Sequence, residues 1–148
     1  MQQALDFLKA HNEIVLATSE DNLPHLRMFQ IMKQEDNRLY FATSPKKAVF
    51  EQLVKNPNIE IIATADRVSV RCAGMVNFNI TDDMKRWIFE NNPVLPRLYN
   101  NYSELEYFVM PIAEMDYYDL NPTPPVFKHF DLMIGEVADG FVGERFSK

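Results

Sequence analysis

The sequence predicts a mainly β fold, a small β-barrel of about six strands with a few short helices capping its ends, and three observations carry that prediction. Apolar residues alternate with polar or small ones over residues 68–80, the pattern of a strand with one buried face. Further runs rich in β-branched and aromatic residues recur along the chain, bounded by turn signals such as Glu20-Asp21-Asn22. No repeat, low-complexity block or linker interrupts the 148 residues, so one domain is expected over 1–148, with 122–148 as a C-terminal extension.

Residues 2–11 place Ala4, Leu5 and Leu8 at helical spacing, with Asp6 and Lys9 on other faces, and predict a short amphipathic helix over one end of the core. Residues 13–19, EIVLATS, predict a strand, and the turn after it leads into a second strand over 24–33. Strand alternation there puts His25, Arg27, Phe29 and Ile31 on one face and Leu26, Met28, Gln30 and Met32 on the other. Arg27 is thus a lone charge on a mostly apolar face, either snorkelling to a rim or awaiting a partner. After a polar turn over 34–38, residues 39–43 complete a three-stranded meander.

The next stretch breaks a local rule. Ser44 is the expected N-cap of a helix with Pro45 at its first position and Lys46 and Lys47 in its first turn. Lysines there face the positive end of the helix dipole and cost stability. Free N–H groups, a dipole and two ammonium groups suit a phosphate or another anion; the alternative is a solvated lysine pair. Val49, Phe50, Leu53 and Val54 form the expected buried stripe, and Asn56-Pro57 ends the helix.

Residues 59–66 predict a further strand, and within 68–80 the residues Val68, Val70, Cys72, Gly74, Val76, Phe78 and Ile80 share a face. Cys72 reads as a small core hydrophobe, since no cation shares its face to lower its pKa. Ser69 and Arg71 face the other way, Arg71 outward and available to a ligand or a partner chain. Thr81 or Asp82 should cap a helix to about Asn91 with Met84, Trp87 and Ile88 inward, Asp82 and Asp83 stabilising its dipole. Residues 93–102 form a short helix-and-turn connection, and strands over 107–110 and 113–120 are interrupted by Pro111. Residues 121–125, NPTPP, break regular structure. The apolar segment 126–148, with Phe127, Phe130, Phe141 and Phe146, should pack on the body or on a second subunit.

Composition removes several function classes. A single cysteine allows neither an intrachain disulfide nor a thiolate cluster. A net charge of −6 argues against nucleic-acid binding, and no apolar run approaches the ~20 residues of a membrane span or a signal-peptide core, so a cytoplasmic setting is expected. Four glycines, Gly74, Gly135, Gly140 and Gly143, fit neither a Walker loop nor a G-x-G-x-x-G turn. His11, His25 and His129 are scattered, no H-E-x-x-H occurs, and no Ser or Cys has a visible base beside it. No metal site and no catalytic residue is assigned.

Leu16-Ala17-Thr18, Pro24-His25-Leu26-Arg27-Met28-Phe29 and Leu39-Tyr40-Phe41-Ala42-Thr43-Ser44-Pro45-Lys46-Lys47, with Gln52-Leu53 and Asn56-Pro57 behind them, give the chain a resemblance to a known family over about residues 4–120. It resembles the pyridoxamine 5′-phosphate oxidase-like family of FMN-binding split barrels. The resemblance implies a split β-barrel of Greek-key type and a homodimer with FMN in a cleft formed by both chains. It places Arg27 on the FMN phosphate, with Lys47 completing the grip helped by Lys46 and Ser44. It sets Met28 and Phe29 beside the flavin ring, Phe41, Ala42 and Thr43 at its edge, and Ser69 and Arg71 as contacts from the other subunit. The end of the chain, Gly143-Glu144-Arg145-Phe146-Ser147-Lys148, lacks the Arg- and His-containing substrate motif of true pyridoxamine phosphate oxidases. The expectation is therefore an FMN-dependent oxidoreductase acting between small-molecule donors and acceptors, NADH or NADPH among them, and not on vitamin B6. The alternatives are a non-catalytic flavin- or haem-binding module and a dimeric anion-binding or structural protein.

Overall fold

Ten strands make two antiparallel sheets in the computed structural model, which describes residues 1–140, against the about six expected. The chain runs α1 (Gln2–Ala10), β1 (Glu13–Glu20), β2 (Leu23–Gln30), β3 (Lys33–Glu35), β4 (Arg38–Thr43), α2 (Ala48–Lys55), β5 (Asn58–Ala65) and β6 (Val68–Met75). It continues through α3 (Asp82–Asn91), α4 (Val94–Leu98), β7 (Glu106–Pro111), β8 (Glu114–Asp119), β9 (Val126–Asp131) and β10 (Glu136–Asp139). The large sheet has the order β10-β9-β8-β6-β5-β1-β2 and the small one β3-β4-β7, the mainly β architecture that the alternation predicts and the split barrel that the resemblance implies.

The extra strands arise at corners. The expected strand over 24–33 is two strands in different sheets: the Ile31 N–H bonds the Asn12 carbonyl at 2.8 Å, beside β1, and the next N–H, of Met32, bonds Tyr40 of β4 at 2.8 Å. The expected strand over 68–80 also stops, at Met75. The Val76 N–H goes to Pro57 at 2.9 Å, beside β5, while Asn77 exchanges bonds of 2.9 and 3.0 Å with Val109 of β7. The third corner follows Pro111, where Ile112 bonds Asn37 at 2.8 Å and Ala113 bonds Ala73 of β6 at 2.9 Å. At each corner one backbone group serves one sheet and the next serves the other, and Ile31, Val76 and Ile112 are all buried there. Alternation continues through the bend, so sequence periodicity cannot mark it.

Residues facing inward from both sheets form the main core, including Leu16, Phe41, Leu53, Ile61, Val70, Cys72, Phe108 and Met115. Burial pushes the Cys72 thiol up to about 12, in keeping with a core hydrophobe. The small sheet is buried on its other face too, where Tyr40, Ala42, Tyr107 and Val109 pack with Ile88 of α3 and Leu95 of α4. Trp87 was expected inward but lies exposed: one turn can bury only one stripe, Ile88 occupies it, and the indole instead carries the Lys33 ammonium 4.0 Å from its ring centroid. The described part of the C-terminal segment extends the large sheet, β9 pairing with β8 and β10 with β9. Phe141, Phe146 and the rest of 141–148 lie outside the described residues.

Candidate functional site

The register of β2 on β1 sets Arg27 opposite Leu16, on the sheet face covered by α2. There its guanidinium enters a closed ring of hydrogen bonds. One terminal nitrogen, Nη1, donates to Thr18 Oγ1 at 2.9 Å and to the Leu16 carbonyl at 3.3 Å, and Nη2 donates to Gln52 Oε1 at 2.6 Å. Thr18, which must accept from arginine, gives its own proton to the same Gln52 oxygen at 2.7 Å. Arg27 forms no ion pair with any described acid. Burial of this half-covered guanidinium lowers its pKa from the ordinary arginine value without approaching deprotonation.

Arg27 lines an open cleft of about 650 Å³ that Lys47, Thr43, Ala42, Met28 and Phe29 also line. Helix α4 and the segment after it supply an apolar wall of Val94, Leu95, Leu98 and Tyr99. Thr43 decides what the cleft asks for. Its side chain is 3% exposed and its hydroxyl has no hydrogen-bond partner. A buried orphan hydroxyl costs free energy, and this one belongs to a residue that lines the same cleft as Arg27 and Lys47.

The residues around Lys47 differ from expectation. α2 begins at Ala48 with Lys47 as its N-cap and no side-chain cap, so Ser44, Pro45 and Lys46 precede the helix. The Ser44 hydroxyl accepts from the Lys46 N–H at 3.2 Å and the Ser44 carbonyl from the Lys47 N–H at 3.1 Å, a turn that uses up the expected cap. The turn leaves Lys47 in extended backbone, at φ −85° and ψ 145°, so the helix starts only after it. Lys47 still meets the positive end of α2, whereas Ser44 and Lys46 do not line the cleft. Within α2, Val54 is 58% exposed and Gln52 takes the inward position at 6% exposed, contrary to the all-apolar stripe expected.

Of the other residues singled out, Met28 and Phe29 line the cleft, Met28 from the outer face of the large sheet at 63% exposed. Phe41 does not reach it: its ring is buried in the main core, stacked on Phe108 at 5.1 Å between centroids. Ala42 points to the opposite face of β4, and Thr43, on the same face as Phe41, lies at the end of the strand. Ser69 and Arg71 are on β6, separated from β2 by β5 and β1, and line no part of this chain's own cleft. Arg71 is not the available group that was expected. Its Nε bonds Asp116 at 2.8 Å, its terminal nitrogens pair with Asp116 and Glu60, and these bonds outweigh burial to raise its pKa. His129 Nδ1 lies 2.5 Å from the same Asp116.

Residue types alone missed Thr18, Gln52 and the α4 wall. A glutamine on the inward stripe of an amphipathic helix is the one signal that would have exposed Gln52, because a buried amide implies a polar partner. Among the described cleft residues Glu13 is the only acid, and no His, Cys or Ser is present. The cleft thus joins two cations, Arg27 and Lys47, to an apolar wall, an arrangement able to hold an anionic ligand with an apolar part.

The family model described as Pyridoxamine 5′-phosphate oxidase matches residues 1–117. Comparison with the curated proteins finds no match. Among solved structures, a NimC/NimA family protein from Clostridium acetobutylicum is 22% identical with a TM-score of 0.67, covering 94% of this chain and 92% of that one. A pyridoxamine 5′-phosphate oxidase-related, FMN-binding protein from Nostoc punctiforme is 14% identical with a TM-score of 0.69, covering 97% and 95%. A heme-binding protein from Mycobacterium smegmatis is 14% identical with a TM-score of 0.71, covering 87% of this chain and 56% of that one. At these identities the structures show a shared fold.

Proposed function

The chain belongs to the pyridoxamine 5′-phosphate oxidase family, and from that premise we propose that it is an FMN-dependent oxidoreductase whose cofactor lies in the cleft between β2, β4 and α4. The observation that carries the proposal is Arg27, a cation fixed by neutral acceptors alone, facing the same cleft as Lys47 and the orphan hydroxyl of Thr43. A dianionic phosphate answers all three. Arg27 forks its oxygens, Lys47 adds point charge from the start of α2, and Thr43 donates to an acceptor. Met28, Phe29 and Ala42 supply the strand surface for a flat ring, and the α4 wall excludes water from its other side.

Bound FMN would take hydride from a small donor such as NADH or NADPH and pass electrons to a small acceptor. The chain's contribution is to anchor the phosphate, orient the ring and keep its surroundings apolar, so no side chain is assigned as acid or base. A homodimer is part of the proposal: Leu26, Met28 and Ile62 form an exposed apolar patch on the outer face of the large sheet, and Ser69 and Arg71 of one copy would border the cleft of the other. The proposed setting is the cytoplasm. No helix among the described residues is long and apolar enough to cross a membrane.

The freshly purified protein should be yellow, and NADH or NADPH should bleach it under anaerobic conditions. Arg27→Ala with Lys47→Ala should abolish FMN retention while the far-ultraviolet spectrum stays that of the parent. Absence of flavin absorbance after FMN titration overturns the proposal; a Soret band after haem titration would favour a haem module instead. FMN retained with no turnover above free flavin would leave a binding module.

A further inference from the structure

We propose that Gln52 is a positioning residue that aims the Arg27 guanidinium into the cleft while leaving its charge unneutralised for an anionic ligand. The ligand's identity as FMN rests on the function proposed above; the device itself rests on geometry. Gln52 is buried, and its single carbonyl oxygen accepts from both Arg27 Nη2 at 2.6 Å and Thr18 Oγ1 at 2.7 Å. Thr18 closes the ring by accepting from Nη1 at 2.9 Å. Arginine only donates, so every proton in the ring has one possible direction, and the ring fixes the guanidinium plane.

Neutrality is the second part of the device. A glutamate at 52 would reach the same oxygen position and form a stronger, charge-assisted fork, but it would cancel the cation and repel an incoming phosphate. The preceding residue shows the contrast within one turn. Glu51 is exposed and pairs with Lys55 at 3.3 Å, so the carboxylate of this helix is turned to solvent and the amide is turned to the arginine. With Nη1 and one Nη2 proton committed to the ring, Nε–H and the other Nη2 proton have no acceptor among the described residues, and these are the donors left for the cleft.

The test compares FMN with riboflavin, which lacks the phosphate, in the parent chain and in Gln52→Glu and Gln52→Met. Gln52→Met should weaken FMN about tenfold and Gln52→Glu more, about thirtyfold, with riboflavin affinity moving less than about twofold in either. A residue that merely supports the fold would shift both flavins together, and an unchanged FMN-to-riboflavin ratio in both variants overturns the proposal. A second measurement needs no flavin: ¹⁵N spectra of the arginine side chains, titrated with inorganic phosphate. The parent should show slowly exchanging Arg27 signals that move with phosphate, Gln52→Met should lose the slow exchange, and Gln52→Glu should keep it without responding to phosphate. If the parent binds neither flavin yet shows this pattern, FMN is the wrong ligand and the positioning role stands. Arg27 signals that are alike in all three proteins, or blind to phosphate in the parent, overturn it.

Discussion

Thr43 and Cys72 are both buried, and their burial has opposite consequences. The Thr43 hydroxyl is an orphan, so removing it relieves a desolvation cost: Thr43→Val should leave stability unchanged or raise it by about 1 kcal/mol. The same change should weaken FMN retention, and a thermal melt beside an FMN titration checks both. Loss of stability with no change in retention would mean that the hydroxyl has a partner in the folded chain alone. Cys72 is a core hydrophobe whose thiol is held at about 12 in the fold against 9.0 for an ordinary one. Above pH 9 the unfolded chain therefore releases this proton first, and the stability it represents, complete below pH 9, drains as pH rises toward 12. Burial pushes Tyr107 up to about 12 as well, adding to the same alkaline loss. Urea midpoints across that window should fall in the parent and fall less steeply in Cys72→Ala. The burial of Cys72 was legible from alternation, whereas that of Arg27 was legible only as an oddity, because its partners lie on β1 and α2 and not in its own strand.

The corners between sheets are where elements and sequence part company. Residues 24–33 and 68–80 each read as one strand, and each is divided between two sheets because the pleat keeps its period while the hydrogen bonds change partners. Gly74 marks one such approach in structural terms: a Cβ there would stand 2.5 Å from the Pro111 carbonyl oxygen and 2.8 Å from Met110 Cγ. The backbone oxygen cannot step aside without moving the corner after β7, so Gly74→Ala should destabilise by about 1–3 kcal/mol. Urea denaturation measures that cost, and an unchanged midpoint would show that the corner is free to shift. α2 carries the other lesson at this scale. Its apolar residues predicted a helix correctly, but its start moved past Pro45 and its inward stripe took Gln52 in place of Val54, since the polar ring around Arg27 needs an amide there.

Across the whole molecule the outer face of the large sheet sets Met28, Ile62 and Arg71 on one cross-strand row. A second copy is the proposed cover. Ile62→Asp sits on an exposed position of the single chain and should not disturb its core, yet in a dimer it would bury a charge. Light scattering should then give a dimer for the parent and a monomer for the variant, with FMN retention falling in step. A monomeric parent would remove the dimer from the proposal.

Local chemistry was enough for the mainly β class, most strands, the turn at Asp21-Asn22, the burial of Cys72 and the helix that follows Lys47, because periodicity and turn signals are properties of neighbouring residues. Long-range packing set where strands change sheets, that Phe41 belongs to the core while Ala42 and Thr43 line the cleft, that Arg71 is held by Asp116 and Glu60, and that Thr18 and Gln52 complete the setting of Arg27. Each of these depends on contacts between residues far apart in the chain, and no local pattern encodes which distant acceptor a buried donor will find.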